Sequence, residues 1–257
     1  MKVHRNLRFG HLVCSVGLGV VPMSKAVCCA DFSSVVRQHI SELKPFSSKL
    51  SLRKGESVYR LDEPASAIFW IEQGRAKTVI ISAEGQEKII GLYGPGDLFG
   101  ELCMCEVARR QEQAIALEPL ELLSIHISGV TKLFAHAPDV SQAFLRVVCQ
   151  RLMDYQKQVA MLSFDSVSRR LAKELMRLGQ SDAESGAGSD SRAVNGWTHE
   201  DLANLVGTTR EVVTLMMNQF REKGMLDYGR RNIMIFSERM KDYLENSPDC
   251  QLPVRQS

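Results

Sequence analysis

The sequence predicts an α+β fold: a β-sandwich or barrel, then a long helix, then a helix-turn-helix with a β-wing. Three observations predict it. Residues 47–126 contain short apolar runs at spacings of about ten residues, separated by turn residues. After Ser128 the apolar residues recur at helical spacing for about fifty residues. Two capped helix starts and a hairpin follow near the C-terminus.

Length and composition are those of an ordinary globular chain. The 257 residues are 44% hydrophobic and 24% charged, and 32 Lys and Arg against 30 Asp and Glu leave a formal net charge of +2. We expect no membrane-spanning segment, because no apolar run reaches the roughly 18–20 residues that cross a bilayer. The 7 cysteines are odd in number and scattered, which favours a cytoplasmic protein over a disulfide scaffold, and their spacing predicts no metal site.

Residues 1–30 are treated as a leader outside the fold. Basic residues precede a short apolar run from Leu12 to Met23, as in a signal peptide. Two glycines and a proline interrupt that run, and Met23 offers a second start. We therefore expect a disordered or wrongly assigned leader in preference to an export signal.

The N-terminal half reads as one short helix, Asp31–Leu43, and eight strands. Turn sequences such as Lys54-Gly55 and Gln73-Gly74 separate the strands. The predicted strands are Ser47–Leu52, Ser57–Arg60, Ala67–Glu72, Ala76–Ser82, Glu87–Tyr93, Leu98–Phe99, Gln113–Ala116 and Leu120–His126. Many short strands at this spacing indicate a sandwich or barrel.

A long helix with an apolar seam follows, and Pro138 is placed suitably at its start. The seam repeats at intervals of three and four residues, the a/d pattern of a helix that packs along a partner. Its residues are Phe144, Val148, Leu152, Tyr155, Val159 and Leu162. The partner is either the β-domain of the same chain or a second copy of the helix, and the length of the seam favours the second copy.

The C-terminal region begins with a predicted helix, Ser166–Leu178, and an exposed loop, Gln180–Gly196. Two helices then meet at Gly207. Each begins with a Thr three residues before an acid, Thr198 before Asp201 and Thr208 before Glu211, which is the spacing of a capping box. A two-stranded hairpin, formed by residues 225–228 and 232–236, completes a helix-turn-helix with a wing.

This module predicts double-stranded DNA as a partner. The exposed start of its second helix carries Thr209, Arg210, Glu211 and Thr214, and Arg and Glu can read guanine and cytosine in the major groove. Four more residues are placed for phosphates, namely Thr198, Thr208, Arg230 and Arg231. The module has only a small surplus of basic residues, which suggests that binding requires two copies.

Two motifs, in this order, make the chain resemble the Crp/Fnr family of bacterial transcription regulators. One is Gly94–Leu102 (GPGDLFGEL) followed by Arg110, and the other is Thr198–Val213 (THEDLANLVGTTREVV) with the wing after it. The resemblance implies an N-terminal double-stranded β-helix (jelly-roll-like) sensor, a long central dimerisation helix and a C-terminal winged helix-turn-helix. The corresponding ranges are 1–30 leader, 31–136 β-roll, 137–164 dimerisation helix, 165–240 DNA-binding domain and 241–257 tail.

The first motif has the chemistry of an anion site. Gly100, Glu101 and Leu102 would present backbone N–H groups at a short helical turn. The Arg110 guanidinium can donate two hydrogen bonds to the anion, and Glu101 can accept a hydrogen bond from a ribose hydroxyl. The alternative is that Glu101 and Arg110 pair with each other or with Arg151, which closes a vestigial pocket.

The resemblance leaves the effector open. Gln111 and Glu112 follow Arg110 where the cyclic-AMP receptors carry a small hydroxyl residue and Ala, and Tyr155 and Gln156 occupy the adenine-contacting positions.

Besides a cyclic nucleotide, a dicarboxylate held by Arg110 and Arg151 fits, as in the 2-oxoglutarate-sensing cyanobacterial branch. A thiol switch at Cys103 and Cys105 is a further alternative. In the reading helix, Arg210 and Glu211 match two of the family's base-reading residues, whereas the third, basic position is Leu215.

These observations predict a non-enzymatic, ligand-responsive regulator that binds a palindromic operator as a homodimer, its half-sites about one helical turn apart. The expected partners are DNA, a second copy and RNA polymerase, without a membrane. Two alternatives stay open: a cyclic-nucleotide-binding regulatory subunit that acts on a protein partner, and a constitutive or thiol-gated regulator.

Overall fold

The structure is a computed structural model that describes residues 34–105, 109–181, 191–229 and 232–246. The predicted leader lies outside these residues, and so do the wing residues Arg230 and Arg231. Within the described part of the chain, no helix is long and apolar enough to cross a membrane. The same part holds no group of three His, Cys, Asp or Glu placed to bind a metal ion.

Eight strands form the described part of the N-terminal β-roll, and each begins and ends within one residue of its predicted bounds. They are β1 (Ser47–Leu52), β2 (Ser57–Tyr59), β3 (Ala67–Gln73), β4 (Ala76–Ile81), β5 (Glu87–Tyr93), β6 (Leu98–Phe99), β7 (Gln113–Ala116) and β8 (Leu120–His126). Two antiparallel sheets result, with strand orders β1-β8-β3-β6 and β2-β7-β4-β5. The predicted α+β fold class, with a jelly-roll-like β-domain, is confirmed.

Aromatic side chains fill the space between the two sheets. The ring of Phe99 stacks on Phe69 at 5.4 Å and on Tyr93 at 5.1 Å between centroids, and Tyr59 stacks on Phe69 at 5.4 Å. All four side chains are buried. Because truncating a buried Phe to Ala costs about 3–5 kcal/mol, these rings contribute much of the stability of the roll.

Helices cover one end of the roll and lead away from it. They are α1 (residues 34–38), α2 (Ile40–Leu43), α3 (Ile127–His136) and α4 (Pro138–Phe164). Pro138 occupies the first turn of α4, where a missing N–H costs nothing. The first half of α4 buries Val140, Ala143 and Val147 against α3 and the roll, whereas its second half presents an exposed apolar face.

The described residues of the C-terminal head form four helices and a three-stranded sheet. They are α5 (Val167–Ser181), β9 (Ser191–Asn195), α6 (His199–Val206), α7 (Arg210–Glu222), β10 (Leu226–Tyr228), β11 (Asn232–Phe236) and α8 (Ser237–Asn246). The sheet has the order β10-β11-β9 and is antiparallel throughout.

The head differs from the prediction at three places. Ser191–Asn195 was predicted to be loop, but it is an edge strand that pairs with β11 and buries Val194. Helix α5 continues past Gly179 to Ser181, and a side chain at position 179 would press against Arg192 of β9. The first residues of the predicted tail, 241–246, belong to α8, which buries Met240.

Roll and head share one apolar cluster. Val79 of β4 and Ile89 of β5 are buried in the same cluster as Leu202 and Val206 of α6. The first helix of the helix-turn-helix therefore lies against the β4–β5 hairpin.

Candidate functional site

A complete capping box starts the first helix of the helix-turn-helix. The Asp201 N–H donates to Thr198 Oγ1 at 3.1 Å, and the Thr198 N–H donates to Asp201 Oδ2 at 3.2 Å. The Thr198 hydroxyl also donates to Asp201 Oδ2 at 2.7 Å, so it already makes hydrogen bonds within the protein both as donor and as acceptor. Gly207 ends the helix in the left-handed conformation at φ 72°, which permits the tight turn that follows.

Helix α7 begins one residue later than a second capping box would require. Its N-cap is Thr209, which forms no side-chain capping hydrogen bond, so the predicted box from Thr208 to Glu211 is absent. Hydrogen bonds from its own backbone N–H and from Thr209 lower the pKa of Glu211. The carboxylate is therefore ionised at neutral pH, at a helix N-terminus where negative charge is favoured.

The exposed face of α7 carries the predicted base-reading residues. Arg210 and Glu211 are exposed, and Leu215, one turn later, is 54% exposed. The opposite face buries Val213 and Met217, which fixes the rotation of the helix about its axis. These contacts keep the polar start of α7 in solvent.

Thr214 differs from the other predicted readers because its hydroxyl is turned inward. It donates to the Arg210 carbonyl at 2.9 Å and lies 2.9 Å from His199 Nδ1. The Thr214 hydroxyl therefore already forms hydrogen bonds within the head. The His199 ring lies 5.3 Å from that of Tyr228, and Tyr228 donates to Asn218 Oδ1 at 2.7 Å, which joins the wing to α7.

In the roll, Arg110 points into the protein. It is 5% exposed, and its guanidinium donates to the carbonyls of Gly100 at 2.9 Å and Ala67 at 2.5 Å. The same group lies 4.2 Å from the ring centre of Tyr59 and 5.4 Å from that of Phe69. In this arrangement the Arg110 guanidinium binds main-chain carbonyls, including that of Gly100 directly after β6, and its N–H groups are not directed at a ligand.

Glu101 forms an ion pair with Arg151 of α4, one of the alternatives that the sequence left open. Both side chains are about 15% exposed. Burial opposes the charged form of Arg151, but Tyr93 and Glu101 outweigh that effect and raise its pKa. Tyr155 lies beside this pair with its side chain 37% exposed, and burial of its hydroxyl raises its pKa to about 12.

Glu112 is an acid inside the roll. It is 7% exposed and accepts a hydrogen bond from the Tyr59 hydroxyl at 2.8 Å. Burial raises the pKa of its carboxyl group. The interior of the roll therefore contains two basic side chains, Arg110 and Arg151, and two acidic ones, Glu101 and Glu112.

The remaining predicted pocket residues lie nearer the surface. Leu102 is 43% exposed, Gln111 is exposed and donates to the Arg109 carbonyl, and Gln156 is exposed on α4. Cys103 is buried, and burial raises the pKa of its thiol, which disfavours the reactive thiolate of a redox switch. Cys105 is exposed.

Two lysines that the sequence did not single out join the roll to the head. Lys77 of β4 lies 3.4 Å from Asp201 Oδ1, and Lys88 of β5 donates to the Leu205 carbonyl at 2.5 Å. Burial lowers the pKa of Lys88 to about 8. Their partners lie more than a hundred residues further along the chain, so no local signal could have found them.

Comparisons with known proteins match both halves of the chain. Residues 49–137 match the cyclic nucleotide-binding domain, and residues 169–240 match the Crp-like helix-turn-helix domain. The chain is 28% identical over 210 residues to the CRP-like cAMP-activated global transcriptional regulator of Mycobacterium tuberculosis, covering 81% of this chain and 93% of that protein. It is 27% identical over 176 residues to the cyclic AMP receptor protein of Thermus thermophilus, covering 68% and 78%.

A solved structure has the same fold. The c-di-GMP responsive global regulator CLP of Xanthomonas campestris superposes with a TM-score of 0.70 at 20% identity, covering 78% of this chain and 99% of that one.

Proposed function

The chain belongs to the Crp/Fnr family of transcription regulators, and from this membership we propose that it binds a palindromic DNA operator as a homodimer under the control of a small effector. The observation that carries the DNA-binding part is the exposed pair Arg210 and Glu211 at the start of α7. An Arg can donate two hydrogen bonds to one guanine, and a Glu can accept from cytosine N4. The proposal places this action in the cytoplasm, with RNA polymerase as a further partner.

The second half of α4 supports the homodimer. The exposed residues of the α4 seam, from Val148 onward, are Val148, Leu152, Tyr155, Val159 and Leu162, with exposed fractions from 37% to 63%. Apolar side chains in a continuous a/d seam are stabilised when a second helix covers them. Two such helices, packed along one axis, would bring two heads onto the half-sites of one operator.

The contacts between roll and head support effector control. Lys77 and Lys88 hold α6 against the β4–β5 hairpin, and Arg151 ties α4 to the turn after β6. An effector that changes the interior of the roll would therefore change the contacts that orient the head. A ligand shifts this equilibrium only by its difference in affinity for the two arrangements.

Sensing an anion would require two changes inside the roll. Arg110 must leave the Gly100 carbonyl, and the negative charge of Glu112 must be neutralised or moved. The effector proposed is a small anion, a cyclic nucleotide or a dicarboxylate, that engages the turn at Gly100, Glu101 and Leu102.

The test is selection of an operator by the full chain from random double-stranded DNA, followed by fluorescence anisotropy at fixed salt. We expect a palindrome to be enriched. Arg210→Ala should lose about 1–3 kcal/mol of discrimination at one guanine in each half-site while keeping its non-specific affinity. Equal weakening on every sequence would assign Arg210 to phosphate alone, and enrichment of no sequence would reject the DNA-binding proposal.

A further inference from the structure

Leu215 is an exposed apolar side chain on the face of α7 that is otherwise polar. It is 54% exposed, and its exposed neighbours on that face, four residues to either side, are Glu211 and Gln219. Core packing does not account for it, because the buried side of the helix is formed by residues such as Val213 and Met217. Its side chain is therefore accessible to a partner outside the chain.

The spacing places Leu215 in the surface that would face the groove. It follows Glu211 by four residues, so the two side chains lie on one face of the helix, about 6 Å apart along the axis. The intervening Thr214 has its hydroxyl bound to the Arg210 carbonyl. Leu215 is thus the next side chain after Glu211 that this face presents directly to solvent.

Leucine has no hydrogen-bonding group, which limits what it can recognise. The C5-methyl group of thymine is the apolar group that the base pairs present in the major groove. A leucine placed against a polar base edge would remove water from donors and acceptors without replacing their hydrogen bonds. Position 215 therefore favours thymine over the other three bases.

We propose that Leu215 determines specificity by packing on the C5-methyl group of one thymine in each half-site. The inference rests on the proposed DNA binding and adds one base of the operator to it. Its test uses an operator selected by the full chain, in which each thymine is replaced in turn by deoxyuridine. This replacement removes only the methyl group and keeps every hydrogen-bonding group of the base.

Replacement of the contacted thymine in one half-site should weaken binding about fourfold, as for the loss of one buried methyl group, and replacement in both half-sites should weaken it about fifteenfold. Leu215→Ala should bind the two operators equally. Leu61→Ala, which truncates a 41% exposed leucine of the roll, should keep the wild-type difference.

Three outcomes would overturn the inference. Wild-type protein that binds the thymine and deoxyuridine operators equally at every position refutes it and leaves the proposed DNA binding intact. A Leu215→Ala variant that keeps the full difference assigns the methyl contact to another residue. Selection of no operator removes the proposed function and this inference together.

Discussion

The Glu101 carboxylate pairs with the Arg151 guanidinium, and this contact joins the turn after β6 to the central helix α4. Both side chains are largely buried, and the guanidinium carbon of Arg151 lies 5.0 Å from the ring centre of Tyr93. Glu101, which we expect to contact an effector, thus already binds α4, the helix that we expect to form the dimer.

Removing one member of this pair should destabilise the protein strongly. Glu101→Gln leaves the Arg151 charge buried without its partner, and the expected loss is about 3–5 kcal/mol in the free energy of unfolding. Urea unfolding followed by circular dichroism measures it. The double variant Glu101→Gln with Arg151→Met should recover most of the loss, since neither charge then remains buried. A double variant no more stable than the single one would contradict the explanation.

Glu112→Gln should strengthen anion binding in the roll. The Glu112 carboxyl group lies in the interior with Arg110, and in its ionised form it opposes a second negative charge there. Calorimetric titration with cyclic AMP, cyclic GMP and 2-oxoglutarate should show affinity about tenfold higher in the variant for whichever of these binds. Arg110→Ala is the control and should abolish the heat. Heat that survives in Arg110→Ala would place the ligand elsewhere.

A charge in the seam of α4 should separate the two copies. Leu152 is 59% exposed, so Leu152→Glu leaves the monomer fold unchanged but buries a carboxylate in the proposed dimer. Sedimentation velocity should show a monomer, and operator affinity should fall about a hundredfold or more as the second half-site is lost. Ala160→Glu adds the same charge to an exposed position outside the seam and should leave the dimer intact.

The contribution of Lys88 to the free energy of unfolding should increase with rising pH. The pKa of Lys88 is about 8 in the folded protein, against 10.5 ordinarily, because burial disfavours the charged form. The unfolded chain therefore binds more protons than the folded one between these values, so the stability that Lys88 contributes grows from pH 8 to 10.5 and is lost as the pH falls through 8.

Thermal unfolding of wild-type and Lys88→Met protein measures this effect. The melting temperature of the wild type should rise relative to that of the variant between pH 8 and pH 10. The exposed Lys54 gives a matched control, and Lys54→Met should show no such trend. A constant difference between wild type and Lys88→Met over this range would mean that the Lys88 amine is not desolvated at the contact.

The strands of the roll could be predicted from sequence because turns such as Gln73-Gly74 mark their ends locally. Strand β9 could not, since Ser191–Asn195 has no alternation and buries little besides Val194. Its pairing with β11 depends on residues about forty positions further along the chain.

The interior of the roll was less predictable than its outline. The sequence identified Arg110 as the cation of an anion site, but its partners are carbonyls 10 and 43 residues earlier in the chain. The hydrogen bond from Tyr59 to Glu112 spans 53 residues. Sequence spacing identifies residue types near a site, whereas the direction of each side chain is decided by such distant partners.

The apolar cluster that Val79 and Ile89 share with Leu202 and Val206 makes the two halves of the chain energetically dependent on each other. A head severed from the roll would expose part of its own core to water, at a cost of about 25 cal/mol for each Å² uncovered. The intact chain should therefore absorb heat in one cooperative endotherm, where two independent domains would give two.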